Sequence, residues 1–421
     1  MARIKMVKAR EVLDSRGNPT VEAEIETSDG LFRAIVPSGA STGIHEAVEL
    51  RDSGKRFDGK GVLRAVSNVN NMIAKKIIGM NVESQKDIDE FMILLDSTEN
   101  KQRLGANAIL AVSMAACRAG AASKNIPLYR HIQQLSRTQN IVMPVPSMNI
   151  INGGAHAGNN LDIQEFMIMP TGARNFSHAI QIGVEVYHHL KKFILAEHGK
   201  NAINVGDEGG FAPPLRKISQ AFHLIEQTLD ELGYEKEVQL GVDCAASQYY
   251  RKFEYVVEGK RLSRQELMKF YEKLIDDHGL ISIEDPFQQD DFDSFAEFTA
   301  KVGQKVQVVG DDLTVSNVQR LKIAIEKKAI NCLLLKVNQV GTVTEALDAA
   351  IMAKKNELNV MVSHRSGDTD DSFIADLSVG LGCGQLKSGA PARGERTAKY
   401  NQLLRIEDEL GSKARYQGRI R

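Results

Sequence analysis

Short apolar segments that end in an ionisable residue recur along the second half of the chain. In the clearest one, residues 331–339, three leucines in succession are followed by Lys336. Apolar residues at every position, rather than at alternate ones, are typical of a strand buried on both faces in a parallel sheet covered by helices. Segments of the same form are residues 239–243, 280–284, 306–311, 360–364 and 384–387. The pattern predicts six buried strands.

Segments with helical periodicity separate these predicted strands, so the unit of strand followed by helix recurs. Capping-box patterns predict that three of the helices begin after Ser263, Ser316 and Thr342. In a parallel barrel of such units, the carboxyl ends of the strands converge on one rim, where active sites lie. In chain order the strand ends are Asp243, Glu284, Asp311, Lys336, His364 and Lys387. A single charge at a strand end is usually only solvated, but six in succession predict a shared site.

The first third of the chain has a different pattern. Residues 4–36 alternate apolar and polar positions between turn signals, which predicts an antiparallel meander. Helical periodicity follows from about residue 61 to residue 135, so strands followed by helices predict a separate α+β domain. The proline-bearing segment 142–149 suits an edge or entry strand. We therefore expect an N-terminal α+β capping domain at residues 1–138 and a C-terminal catalytic barrel at residues 139–421.

Asp243, Glu284 and Asp311 would bring three carboxylates to neighbouring points on the rim. Two like charges about 4 Å apart repel by roughly 4 kcal/mol at an effective dielectric constant near 20. Three of them therefore need a cation, or some must stay protonated. An all-oxygen ligand set selects a hard ion, and a site with room for substrate oxygens favours Mg²⁺. The alternative is that one or two of these carboxylates are only salt-bridge partners.

Lys336 and Lys387 lie on the other half of the predicted rim. A lysine that acts as a base near pH 7 must lower its pKa by about three units, on the order of 4 kcal/mol. Burial beside a divalent metal ion and a second lysine acts in that direction, because each disfavours another positive charge. Proton removal next to a carboxylate gives an enediolate, whose charge metal ions neutralise. The two lysines are thus candidates for proton abstraction.

Other polar residues near the predicted rim suit anion binding and acid catalysis. Arg365 and Ser366 follow a strand end directly, and arginine suits bidentate phosphate binding, although Arg365 alone could be a surface residue. Glu165 and Glu208, in or beside loops earlier in the chain, form a carboxylate pair able to share a proton as a general acid. His156 could contact an anionic or hydroxyl group, but a lone loop histidine is more often unremarkable.

Composition narrows the class of protein. Lys and Arg number 53 against 54 Asp and Glu, a formal net charge of −1, so no global field would attract nucleic acid or a membrane. The amino-terminal residues lack the apolar core of a signal peptide, and no apolar run approaches the length of a membrane span. The four scattered cysteines have no metal-ligand spacing, which favours free thiols. We expect a cytoplasmic enzyme.

The chain resembles the enolase family (phosphopyruvate hydratases) nearly from end to end, and the resemblance includes the candidate site residues named above. The resemblance begins at residues 9–20 and ends at residues 398–410. Between them it includes residues 38–43, 156–158, 206–210, 282–286, 310–313, 335–339, 363–367 and 387–391. No single motif is specific, but the collection is. It implies an α/β fold with a modified eight-stranded TIM-like barrel preceded by a smaller α+β cap, and usually homodimers, sometimes octamers.

The resemblance also implies a reaction and residue roles. The reaction is the reversible, Mg²⁺-dependent dehydration of 2-phosphoglycerate to phosphoenolpyruvate in glycolysis and gluconeogenesis. Lys336 matches the base at C2, Glu208 the acid at the 3-hydroxyl, and Glu165 its partner. Two Mg²⁺ ions are implied per active site, the second arriving with substrate. The matching metal ligands are Asp243, Glu284, Asp311 and Ser41, and the matching substrate contacts are His156, Gln164, His364, Arg365, Ser366 and Lys387.

Two other interpretations use the same residues differently. One is a related enzyme that dehydrates or racemises a hydroxy acid without phosphate. The other is a non-catalytic protein that kept the fold. The intact set of Lys336, Glu208 and three strand-end carboxylates argues against the second, because a scaffold has no use for them together.

Overall fold

The computed structural model describes residues 2–39 and 43–420. The chain begins with an antiparallel sheet in the order β1-β2-β3, formed by β1 (Met6–Leu13), β2 (Pro19–Glu26) and β3 (Leu31–Ile35). Val21, Ala23 and Ile25 are fully buried, as the alternating pattern requires of one sheet face. The predicted meander is therefore confirmed.

Helices cover the buried face of this sheet. They are α1 (Leu63–Asn68), α2 (Ala74–Ile77), α3 (Gln85–Asp96), α4 (Ala106–Ser123) and α5 (Leu128–Ser136), with a π-helical turn (Val69–Ile73) joining α1 to α2. Helix α4 contacts β2 and β3, and most of its residues are buried. Its many alanines allow this close approach because they carry little side-chain volume.

Eight strands form a closed barrel after the cap. They are β4 (Val145–Asn152), β5 (Glu165–Met169), β6 (Gln239–Asp243), β10 (Leu280–Glu284), β11 (Gln307–Gly310), β12 (Cys332–Leu335), β13 (Asn359–Ser363) and β14 (Gln385–Lys387). A separate sheet is formed by the short strands β7 (Tyr250–Arg251), β8 (Glu254–Val257) and β9 (Lys260–Leu262). Around the ring the order is β4-β5-β6-β10-β11-β12-β13-β14. The predicted modified barrel with a smaller cap is confirmed.

Strand β5 runs antiparallel to both of its neighbours, and the other barrel pairs are parallel. The amino end of β5 therefore lies at the rim where the other strands have their carboxyl ends. Glu165 is in register with Asp243 across the β5–β6 pair. This reversal brings an early residue of the barrel to the predicted site.

Nine helices pack around the barrel strands or connect them within the described residues. They are α6 (Phe176–His198), α7 (Ile218–Leu232), α8 (Arg264–His278), α9 (Phe292–Val302), α10 (Val318–Glu326), α11 (Val337–Val340), α12 (Val343–Lys355), α13 (Phe373–Leu381) and α14 (Gly394–Leu410). Helix α8 has the predicted capping box at Ser263, and Thr342 caps α12. The predicted cap at Ser316 is wrong, because Asn317 caps α10.

Strand β12 is buried at all four positions, as its sequence predicts. Cys332 and Leu334 pack inside the barrel with Val309 and Met361, whereas Leu333 and Leu335 belong to the larger core beneath the helices. None of the described helices is long and apolar enough to cross a membrane.

Candidate active site

Five of the six strand-end side chains line one small cavity at the carboxyl rim of the barrel. The cavity has a volume of about 20 Å³ and is lined by His156, Gln164, Glu165, Glu208, Asp243, Asp311, Lys336, Ser363, His364, Arg365, Ser366 and Lys387. That space suffices for about one water molecule. The sixth residue, Glu284, lies directly against Lys387. Every predicted site residue within the described ranges is therefore at this cavity or touches a residue that lines it.

We call the side chains of Asp243, Glu284, Asp311, Lys336 and Lys387 the acidic half of the site. The Lys387 ammonium lies 3.0 Å from Asp243 Oδ2 and 2.9 Å from each carboxylate oxygen of Glu284. It is also 3.2 Å from Glu165 Oε1. Burial lowers the pKa of Lys387, but these carboxylates raise it well above its usual value. Lys387 is therefore a cation in this arrangement.

Lys336 forms an ion pair with Asp311 Oδ2. Gln339 Nε2 donates to the other oxygen of Asp311 at 2.8 Å, and Ser316 Oγ accepts from the Lys336 backbone N–H at 2.8 Å. Burial lowers the pKa of Lys336, but the charge of Asp311 outweighs it and the net shift is upward. A base near pH 7 requires a lowered pKa, whereas the pKa of Lys336 is raised in this structure because Asp311 forms an ion pair with it.

The acidic half is short of positive charge. Burial, and then the charge of Asp243, raise the pKa of Glu284 well above its usual value. A hard divalent cation would relieve this deficit, and the all-oxygen donor set suits Mg²⁺. Among the described residues, the groups of three ligand atoms within 4.8 Å of one another are His156, Glu165 and Glu208, and Asp285, Asp311 and Asp312, so the three predicted ligands do not form such a group here. Ser41 lies outside the described residues.

We call Asn149, His156, Glu208 and His364 the imidazole half of the site. Around Glu208, Asn149 Nδ2 donates to Oε2 at 3.1 Å, and His364 Nε2 and His156 Nδ1 lie 3.5 and 3.6 Å from Oε1. A Cβ atom on Gly206 would lie 2.4 Å from the His156 carbonyl oxygen, so the close approach of this loop requires glycine. Gly206 thus allows the loop that carries Glu208 to pack against the backbone of His156.

Buried polar atoms of this region lack hydrogen-bond partners in the described part of the chain. They are Asn149 Oδ1, His156 Nδ1, Glu165 Oε2 and His364 Nε2. Unsatisfied buried atoms are costly and rare in folded proteins. Their concentration at one cavity indicates that a ligand supplies the missing partners.

The two glutamates that meet between the halves differ in protonation. Burial, and then the charge of Glu208, raise the pKa of Glu165 well above its usual value. Burial also acts to raise the pKa of Glu208, but the neighbouring imidazoles, that of His364 first, bring it below its usual value. Such a split assigns one proton to the pair, on the Glu165 side.

Arg365 is buried beside the cavity and already holds an acidic partner. Its guanidinium donates to Glu46 Oε2 at 2.9 Å and Glu46 Oε1 at 3.1 Å, and to Asn338 Oδ1 at 3.0 Å. This bidentate geometry is the one that suits a phosphate group. Gln164, a further predicted contact, donates to Asp243 at 3.4 Å and accepts from Gln248 at 2.6 Å.

Sequence reasoning missed several residues that hold the site. Each supports a predicted residue from outside the strand-end pattern: Glu46, Asn149, Ser316, Gln339 and Arg396. Gln339 and Ser316 carry no charge, and Arg396 is separated in sequence from its partner His364 by a whole helix. Only the short distance of Gln339 from Lys336 in sequence could have pointed to it.

Comparisons with known proteins identify the family. The family model described as the enolase C-terminal TIM barrel domain matches residues 140–421, and the enolase N-terminal domain model matches residues 4–132. The enolase of Methanocaldococcus jannaschii is 58% identical over 417 residues, which is 99% of this chain and 97% of that protein. The chain therefore belongs to the enolase family and is a hydro-lyase of the phosphopyruvate hydratase type.

Proposed function

We propose that this chain catalyses the reversible dehydration of 2-phosphoglycerate to phosphoenolpyruvate, with the residue roles that the family resemblance implies. The observation that supports the proposal is the placement of Lys336 and of the Glu165–Glu208 pair around one cavity. Lys336 follows β12, and Glu208 lies beside its partner Glu165, which begins β5. Three strands separate β12 from β5 in either direction around the ring. A substrate between them can lose a proton on one side and a hydroxyl group on the other.

Lys336 is the proposed base at C2. It lines the cavity, and its ammonium is held by Asp311. To accept a proton, Lys336 must be neutral, so the charge of Asp311 must be engaged elsewhere. Asp311 is one of the proposed Mg²⁺ ligands, which is consistent with that requirement.

Glu208 is the proposed acid at the 3-hydroxyl, with Glu165 as its partner. The pair shares one proton in this arrangement. Because that proton lies on the Glu165 side, Glu208 takes it from Glu165 and passes it to the leaving hydroxyl, so that water forms and Glu208 returns to its carboxylate form. The amide N–H of Asn149 that donates to Glu208 stabilises that charged form.

The remaining predicted residues are the proposed substrate contacts. Arg365 and Ser366 bind the phosphate, Lys387 the carboxylate, and His156, Gln164 and His364 line the space between. A phosphate on Arg365 must compete with Glu46, and a carboxylate on Lys387 with Asp243 and Glu284. The phosphate and the carboxylate of the substrate thus replace these internal carboxylates as partners of the two cations.

Asp243, Glu284 and Asp311 are the proposed ligands of a first Mg²⁺, and Ser41 of a second that arrives with substrate. When bound, Mg²⁺ stabilises the negative charge that develops on the substrate carboxylate as C2 loses its proton. The division into a cap at 1–138 and a barrel at 139–421, the homodimeric or octameric assembly and the cytoplasmic location in glycolysis are further parts of this proposal.

An assay of two substrates on two proteins tests the function. We expect Arg365→Ala to lower kcat/KM for 2-phosphoglycerate by about two to four orders of magnitude, because a bidentate contact with a charged group contributes roughly 1.5–3 kcal/mol per hydrogen bond. Turnover of the same acid without phosphate should be poor and barely change. EDTA should abolish phosphoenolpyruvate formation by the wild type.

Arg118→Ala is the matched control. Arg118 makes a bidentate ion pair with Asp371 at 2.7 Å but does not line the cavity, so kcat/KM should stay near the wild-type value. Good wild-type turnover of an unphosphorylated acid, unaffected by Arg365→Ala, would instead favour the related dehydratase. No turnover of either substrate would favour a non-catalytic protein.

A further inference from the structure

Arg396 is a fully buried cation one layer behind the cavity lining. It lies in the first turn of α14, and its side chain has no exposed surface. The guanidinium donates to the backbone carbonyls of Arg365 at 2.5 Å, Ser366 at 2.6 Å and Asp207 at 2.9 Å. Its position is therefore fixed by backbone on two sides of the site.

The same guanidinium contacts the imidazole ring of His364. The distance from Arg396 Nη1 to His364 Nδ1 is 2.6 Å. A guanidinium has donors only, so Nδ1 must be the acceptor in this hydrogen bond. Burial lowers the pKa of His364 to about 4, so the ring is neutral near pH 7 and carries one proton. That proton must lie on Nε2.

The Nε2 atom of His364 points towards the proposed acid. It lies 3.5 Å from Glu208 Oε1 and has no hydrogen-bond partner in the described ranges. An N–H group here stabilises the Glu208 carboxylate, whereas a nitrogen lone pair would repel it. The tautomer of His364 therefore decides whether this side of the cavity favours proton release from Glu208.

We propose that Arg396 is a positioning residue that holds His364 in the Nε2-protonated tautomer, so that the ring presents an N–H donor to Glu208 and to the departing hydroxyl. This inference rests on the proposed dehydration. It places Arg396 on the acid side only, because proton removal at C2 by Lys336 does not involve His364.

The first test is the tautomer itself. In protein labelled with ¹⁵N-histidine at pH 7, long-range proton–nitrogen NMR should show His364 Nε2 protonated and Nδ1 unprotonated. Arg396→Met should convert this to a mixture of tautomers, and Arg396→Lys, which keeps a donor, should retain the wild-type signal. A wild-type ring protonated on Nδ1, or a signal unchanged in Arg396→Met, would overturn the proposal.

The second test separates positioning from a merely structural role. Arg396→Met should lower kcat for dehydration of 2-phosphoglycerate by roughly 10–100-fold, with KM little changed and deuterium exchange at C2 retained. This loss is smaller than the roughly 10²–10⁴-fold contribution of general acid–base catalysis, because Glu208 itself is still present. Arg396→Lys should recover most of kcat. Equal loss of dehydration and exchange, with a raised KM, would mean that Arg396 only holds the backbone of Arg365 and Ser366.

Lys399→Met is the matched control for loss of a buried cation on the same helix. Lys399 donates to the carbonyls of Thr369 and Glu395 and to Asp368 at 2.7 Å. The Lys399→Met variant should be less stable than the wild type but should keep the His364 tautomer. A changed tautomer in this variant would overturn the specific role of Arg396. If Arg396→Met does not fold, the wild-type and Arg396→Lys spectra still decide the tautomer. A wild type inactive on 2-phosphoglycerate would refute the proposed function while leaving the NMR result readable.

Discussion

The acidic and imidazole halves of the site satisfy their buried polar groups in opposite ways. In the acidic half, Lys387 contacts two carboxylates and Lys336 contacts one, so three carboxylates share two lysines. In the imidazole half, neutral rings surround Glu208, and polar atoms of Asn149 and His364 have no hydrogen-bond partner in the described residues. The acidic half is partly neutralised by its own lysines, whereas polar atoms of the imidazole half lack hydrogen-bond partners within residues 2–39 and 43–420.

The difference indicates what each half requires from a ligand. The acidic half must exchange internal ion pairs for cations and a substrate anion, so its geometry depends on what is bound. The imidazole half is held by backbone through Arg396 and needs only a hydroxyl group to complete its hydrogen bonds. We therefore expect mutations in the acidic half to affect proton removal at C2 and stability, and those in the imidazole half to affect proton transfer to the leaving hydroxyl.

The largest expected effect tests the base in the acidic half. Lys336→Ala should lower hydrogen exchange at C2 of 2-phosphoglycerate by about 10⁴-fold, the upper end of the range for general acid–base catalysis, because no other group would remove that proton. Deuterium incorporation followed by NMR measures it. Lys101→Ala is the control, because it removes a buried lysine that does not line the cavity. Lys101 lies 2.8 Å from Glu345, and its variant should catalyse C2 exchange at the wild-type rate. Exchange by Lys336→Ala near that rate would contradict the assignment.

A second variant tests whether the imidazole half acts only on the leaving hydroxyl. Glu208→Gln should lower net dehydration by roughly 10²–10³-fold, because the amide cannot donate a proton as an acid. Exchange at C2 should continue, since Lys336 is unchanged. The same NMR experiment, combined with phosphoenolpyruvate absorbance, measures both. If the variant lost both activities equally, Glu208 would also position the substrate and the two halves would not act separately.

The sequence predicts the acidic half better than the imidazole half, for a physical reason. Strands buried on both faces have a distinctive apolar pattern, and a charge at the end of each stands out, so Asp243 and Lys336 could be located at the rim. The antiparallel direction of β5, which carries Glu165 to the same rim, has no such signal.

Supporting residues are harder still to predict, because their partners are distant in sequence. Ser316 matches a capping box, yet its hydroxyl donates to Gln339 at 2.7 Å and accepts from the Lys336 backbone, while Asn317 caps the helix. A local sequence pattern cannot show that a side chain forms hydrogen bonds with residues that follow another strand. The link between Arg396 and His364 depends in the same way on the packing of α14 against the barrel.

Stability without metal provides a smaller effect that sharpens the comparison. Asp311→Asn should lower the free energy of unfolding at pH 7 in EDTA by roughly 1.5–3 kcal/mol, the usual contribution of a hydrogen bond to a charged group, because Lys336 loses its counter-ion. Burial acts to raise the pKa of Asp311, but Lys336 lowers it below the usual value. The stabilisation is therefore present above the unfolded-state pKa near 4 and is lost as pH falls further. Urea denaturation between pH 7 and pH 3 should show the gap to wild type closing, and a gap that is constant with pH would contradict the ion pair.

The smallest expected effect has the opposite sign and concerns the glutamate between the halves. The raised pKa of Glu165 means that, over a range of pH above its unfolded-state pKa, the folded protein binds a proton that the unfolded chain has released. Wild-type stability must then fall as pH rises above about 4.3, whereas a glutamine at this position does not titrate. Glu165→Gln should therefore leave the free energy of unfolding at pH 7 in EDTA unchanged or higher by up to roughly 1 kcal/mol, and the wild type should gain on it as pH falls towards 4. The urea series used for Asp311→Asn measures this directly. If Glu165→Gln is instead clearly less stable at pH 7, Glu165 is ionised and paired with Lys387, and the acidic half extends one strand further around the barrel.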